Sequence, residues 1–121
     1  MFTVTVKDHI MIAHSLPDPF FGPAQNKHGA TYVIEATFMS KELNHANVVI
    51  DIGEATNITK EVLGKLNYQD LDEIPEFKGV LTTTEFLAAY IHGKIKAQIE
   101  PQLRLKIELL ESHVASASYE A

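Results

Sequence analysis

The sequence predicts an α+β domain in which an antiparallel sheet packs against two amphipathic helices. The prediction rests on two kinds of periodicity and on their order. Alternating apolar and polar residues, the mark of strands with one buried face, fill both ends of the chain. Apolar residues at helical spacing fill two segments in the middle. Runs of strands flanking paired helices give the order strand, strand, helix, helix, strand, strand.

The first strand is announced by Phe2, Val4 and Val6 alternating with Thr3, Thr5 and Lys7, and continues through Ile10, Ile12 and His14. Pro17, Pro19, Gly22 and Pro23 make residues 16–27 a loop. The β-branched and aromatic run over 31–39 is the second strand. A turn near Asn44–Asn47 leads to the short apolar run Val48, Val49, Ile50, which Asp51 and Gly53 interrupt. Ile58, Val62, Leu63 and Leu66 share one face of a helix over roughly 53–66. Residues 67–80, with Pro75, form a loop. Thr82 and Glu85 stand at capping-box spacing before the next helix, whose buried face is Phe86, Leu87, Tyr90, Ile91, Ile95 and Ile99. Leu103, Leu105, Ile107 and Leu109 alternate with charged residues in a long strand, and a short strand covers 115–119.

The totals bound what such a domain does. The 121 residues fit one domain spanning the whole chain, small enough that oligomerisation would help its stability. A net charge of -6 without a long Lys/Arg cluster argues against nucleic-acid and anionic-membrane partners. The absence of cysteine excludes disulfides, thiolate metal sites and cysteine nucleophiles. The first ten residues alternate rather than forming a signal peptide, and no segment approaches the roughly 20 apolar residues of a membrane span, so a cytoplasmic location is expected.

Candidate chemistry centres on histidine. If the first two strands are antiparallel neighbours, His14 at the end of one and His28 at the entrance of the other meet across the sheet. Two imidazoles fall short of a catalytic zinc, which normally takes three protein ligands, and a second histidine would be wanted at position 30, where the chain has Ala30. Metal binding and hydrogen-bonded or solvated histidines both stay open, the latter being commoner. His9 falls on the opposite strand face, and His45 and His92 read as turn and helix-surface residues. Glu111 extends the apolar face of the long strand, with His113 beyond it. A carboxylate there either has a ligand or other partner, or the strand has ended and Glu111 lies in water. The acidic run Asp70, Asp72, Glu73, Glu76 reads as solvated, and no Gly-rich phosphate loop is present.

Taken in order, these pieces resemble the 6-pyruvoyltetrahydropterin synthase / 6-carboxytetrahydropterin synthase family over nearly the whole chain. The matching segments are Ile12-Ala13-His14, His28-Gly29-Ala30-Thr31-Tyr32-Val33-Ile34-Glu35, Val48-Val49-Ile50-Asp51-Ile52, Leu66-Asn67-Tyr68-Gln69-Asp70-Leu71-Asp72-Glu73, Leu81-Thr82-Thr83-Thr84-Glu85-Phe86 and Glu111-Ser112. The resemblance implies the tunnelling fold, with subunits closing into a barrel as trimers that commonly stack into hexamers. It implies a pterin or purine-like ligand between subunits, anchored by Glu111 with help from Thr83 and Glu85, and zinc held by His14 and His28. It also implies a cysteine base in the loop before His28 and an Asp-His pair from a neighbouring subunit.

The chain departs from that pattern where the chemistry would lie. Ala30 replaces the third zinc histidine, Ala24 stands at the cysteine's place, and Asn67-Tyr68 replaces the Asp-His pair. Neither an amide nor a phenol with an ordinary pKa near about 10 titrates as that pair would. His113 or Asp18 are the remaining candidates for a third ligand. Two functions are therefore expected: a pterin-related lyase homologue with altered or lost synthase activity, or a non-catalytic tunnelling-fold protein that binds a pterin or purine or only assembles.

Overall fold

A computed structural model describes residues 1–121. Two long strands, β1 (Phe2–His14) and β2 (His28–Ser40), pair antiparallel over their whole length, from Phe2 opposite Ser40 to His14 opposite His28. Helix α1 (Ile52–Gly64) follows, then a two-residue strand β3 (Gln69–Asp70), helix α2 (Thr84–Lys96), β4 (Arg104–Ser112) and β5 (Ala115–Glu120). The five strands lie in the order β3-β1-β2-β4-β5. The expected order is thus nearly met, with β3 added between the helices and pairing parallel to β1.

One face of this sheet is buried. Val6, Ile10 and Ile12 of β1, Tyr32, Ile34, Ala36 and Phe38 of β2, and Leu105, Ile107 and Leu109 of β4 join Val62, Leu63, Leu87, Ile91 and Ile95 of the helices in a single core. The period of two in the strands and of 3.6 in the helices delivers these side chains to a shared layer. The opposite sheet face is polar and carries Thr5 hydrogen-bonded to Thr37, Lys7 paired with Glu35, and Arg104 paired with Glu120.

Several local expectations are revised. The loop over 16–27 contains 3-10 turns over Pro19–Gln25, and Asp18 caps them by accepting from the Phe20 amide. The loop over 67–80 contains β3 and two short 3-10 turns. The capping residue of α2 is Thr83, whose hydroxyl accepts from the Phe86 amide, not Thr82. His92 is not a surface residue. It is 5% exposed, its Nε2 donates to the Leu105 carbonyl, and its ring meets Tyr119 edge-on. Burial in this apolar setting lowers its pKa, and Lys96 adds to that.

Candidate functional site

The site forms at the end of the sheet where β1 finishes and β2 begins. The full antiparallel register sets His14 directly opposite His28, with ring centroids 4.6 Å apart and planes at 66°. His14 is 3% exposed and its Nδ1 is 2.9 Å from the Thr82 hydroxyl. His28 Nδ1 donates to the Asn26 carbonyl at 2.8 Å, which leaves the Nε2 lone pair of that ring free. Burial lowers the pKa of His14, the neighbouring His28 lowers it further, and Asp72, Thr82 and Glu111 oppose the shift. The preference is for neutral His14.

Residue 30 lies on the same strand face, two positions along from His28 and opposite Ile12. A ligand there would face the histidine pair, but the Ala30 methyl packs against the core. No cluster of three His, Cys, Asp or Glu side chains able to hold a metal occurs in the chain. His113 lies in the turn between β4 and β5 and Asp18 caps the 3-10 turns, and neither groups with the histidine pair into a set of three. The donors present do not make a three-ligand zinc centre.

Glu111 lies within β4, so the strand has not ended before it. The β4–β5 register shifts between Leu110 and Ser112, which interrupts the regular alternation, and Glu111 is exposed. Its carboxylate nonetheless acts on both His14 and Tyr32. Tyr32 is 2% exposed and its phenol lies beside Thr84 at the start of α2. Burial raises its pKa, and Glu111 and Glu85 raise it further. Glu111, Glu85, Thr84, Thr82, Tyr32, His14 and His28 are therefore one neighbourhood, assembled from β4, the entrance of α2, β2 and β1. The Thr83 hydroxyl is committed to the helix cap at its border. Tyr32 and Thr82 carried no chemical signal beyond a strand residue and a supposed cap, because only the tertiary packing brings them to the histidines.

The third side of this neighbourhood is an ion cluster. The Lys27 ammonium is 2.6 Å from Asp70 and 2.8 Å from Asp72. Asp72 also accepts from the Ser15 hydroxyl at 2.6 Å and the Ser15 amide at 3.2 Å. The two carboxylates raise the Lys27 pKa to about 12. Partial burial works to raise that of Asp72, but Lys27 and Ser15 outweigh it and hold it below the usual range. These acids are thus engaged rather than freely solvated.

Ala24, in the proline-rich turn, accepts from the Leu16 amide through its carbonyl and offers no side-chain base. The Asn67 Oδ1 accepts from the Met11 amide at 2.9 Å, and the Tyr68 amide donates to the Met11 carbonyl at 2.7 Å. The pair clamps the edge of β1. Tyr68 adopts φ 61, a conformation uncommon outside glycine, and its side chain is 77% exposed. A concavity of about 540 Å3 lies at the other end of the sheet among Ser40, Asn44, Asp51 and Gln102. It holds none of the residues that converge on the histidines.

The two-layer α+β fold is that of the solved 6-pyruvoyl tetrahydropterin synthase structures. The 6-pyruvoyl tetrahydropterin synthase family model matches residues 3–121, and the chain belongs to that family. It is 31% identical over 94 residues to the 6-pyruvoyl tetrahydrobiopterin synthase of Dictyostelium discoideum, covering 76% of this chain and 69% of that protein. Its fold is similar to the Caenorhabditis elegans 6-pyruvoyl tetrahydropterin synthase structure with a TM-score of 0.88, at 22% identity over 99% of this chain and 95% of that one. The Plasmodium falciparum enzyme of the same name gives a TM-score of 0.80 at 16% identity, over 99% and 97% of the two chains. At these identities the two structures speak for the fold alone.

Proposed function

We propose that the chain binds a pterin-like ring at the end of its sheet, between subunits of a trimer or hexamer, and that it does not run the family's synthase reaction by the usual residues. The observation that carries this reading is the convergence of Glu111, Glu85, Tyr32 and His14. Glu111 is exposed at the open side of the cluster, and an ionised carboxylate accepts two hydrogen bonds in the plane of its oxygens. The amino-pyrimidinone edge of a pterin or guanine offers two donors side by side, which matches that acceptor. Glu85 and the Thr83–Thr84 backbone border the same space.

Proton transfer has no counterpart among the replaced positions. Ala24 is a methyl group, Asn67 holds β1, and Tyr68 lies on the outer edge. His14 and His28 remain as polar contacts for the ligand's tail, and zinc binding would need a third donor from outside this chain. Subunits closing into a barrel would cover the free edges of β1 and β5 and bring the exposed Glu111 against a neighbour. The alternative, a tunnelling-fold protein that only assembles, is favoured by the same losses but leaves the Glu111 cluster without a role.

Calorimetry with neopterin and with guanine tests the choice. Binding is expected, with Glu111→Ala weakening it at least about tenfold, as removal of a charged bidentate partner does. Loss of neither affinity nor stoichiometry in Glu111→Ala would move the ring elsewhere. Conversion of the triphosphate of dihydroneopterin at an enzymic rate would refute the loss of the synthase route.

A further inference from the structure

The strand order lays the site out as a track with a definite direction. Glu111 sits on β4, Tyr32 and His28 on β2, His14 on β1, and Asp70 on β3. A ring held at Glu111 therefore extends its substituent across β2 and β1 toward β3, where Lys27, Asp70 and Asp72 stand. The cation at the end of that track is already neutralised. Lys27 lies within 2.8 Å of two carboxylates, so the group of three carries a net charge of -1, from one ammonium and two carboxylates. Asp72 is fixed there by both the amide and the hydroxyl of Ser15, the residue next to His14. At the other end, the charges acting on Tyr32 are the carboxylates of Glu111 and Glu85.

We infer that the site selects a pterin whose side chain is uncharged, such as a polyhydroxylated three-carbon tail, and rejects one that ends in phosphates. The specificity-determining element is the Lys27–Asp70–Asp72 triad. A phosphate chain needs free cations or a run of free backbone amides. Here it would meet a net anionic group after passing two imidazoles whose Nδ1 atoms are already engaged. The hydroxyls of a neutral tail, by contrast, can donate to Asp70, to Asp72 and to the Nε2 lone pair of His28. This inference rests on the pterin reading and adds to it the kind of tail the ligand bears.

Titration of the assembled chain with neopterin and with neopterin triphosphate, at about 50 mM and about 500 mM salt, tests it. Neopterin is expected to bind at least about tenfold tighter at low salt, with the gap narrowing at high salt as the repulsion is screened. The double variant Asp70→Asn, Asp72→Asn frees Lys27 and should raise triphosphate affinity several-fold while that for neopterin stays level or falls. Should that variant fail to fold, Lys27→Gln serves instead: it should not weaken triphosphate binding by the order of magnitude that loss of a working phosphate contact brings. Tighter binding of the triphosphate to the unmodified chain at low salt overturns the inference while leaving the pterin reading standing. Binding of neither compound removes both.

Discussion

Ala30 decides more about this site than any residue that is present in it. Its Cα lies opposite Ile12 in the β1–β2 register, and its side chain shares a face with His28 and His14. An imidazole at 30 would therefore stand beside the existing pair rather than in solvent, with two further ligand nitrogens already aimed by their own hydrogen bonds. The unmodified chain is expected to purify with little zinc, and Ala30→His to hold close to a full equivalent per subunit. Metal analysis of protein made without a histidine tag reads this directly. Stoichiometric zinc in the unmodified chain would show instead that a third ligand arrives from a partner. The cost of the change is the Ala30 methyl's place against the core, which the enlarged ring must vacate or share.

At the scale of elements, the entrance of α2 divides two adjacent threonines between unlike tasks. Thr83 caps the helix through the Phe86 amide at 3.1 Å, while Thr82, 1% exposed, bonds His14. Thr83→Ala is expected to cost about 1 kcal/mol and lower the melting temperature by roughly 4 °C. Thr82→Val, nearly isosteric, leaves the helix end intact and unpartners His14 Nδ1, so its mark should be on ligand affinity as well as stability. Thermal melts of the two variants beside calorimetry separate the roles, and equal loss of binding in both would not fit them. This division also marks the limit of sequence reading. The elements were legible because alternation in 2–14 and 103–110 and helical spacing in 86–95 each obey one local period. The pairing of His14 with His28 was legible because one long register follows from two strands joined by a turn-rich loop. Thr82, Tyr32 and the Asp72–Ser15 contact were not, since each depends on where α2 and β3 dock, and no local pattern encodes that. His92 was misread for the same reason: nothing in its helical position tells that β4 and β5 cover it.

For the whole molecule, the two histidines that the fold buries tie stability to pH. His14 and His92 both have pKa values lowered in the folded state, chiefly by burial, with His28 adding to the effect on one and Lys96 on the other. A histidine whose folded pKa lies below its unfolded value of about 6.5 takes up its proton first in the unfolded chain. The stability it contributes is complete above the unfolded pKa and is lost as pH falls through 6.5 toward the folded pKa. Asp72, held low by Lys27 and Ser15 against its own burial, extends the loss below the ordinary carboxylate range. On the alkaline side, Tyr90 is raised to about 12 by partial burial and by its bond to Glu76, and Lys27 is raised to about 12 by its two carboxylates. The unfolded chain releases these protons first, so stability falls again once pH rises past about 10. The expected profile is a plateau between about pH 7 and 10 with a slope on each side. Denaturant midpoints taken at half-unit intervals from pH 8 to 5 should fall below pH 7. Each histidine can contribute a slope of at most about 1.4 kcal/mol per pH unit. His92→Gln keeps a donor for the Leu105 carbonyl but no longer titrates, and should remove part of the acid slope while leaving the rest to His14. A chain equally stable at pH 8 and pH 5, or a variant with an unchanged slope, would mean that the two rings admit protons as freely folded as unfolded, and that the packing of β5 and of the histidine pair is looser than their burial implies.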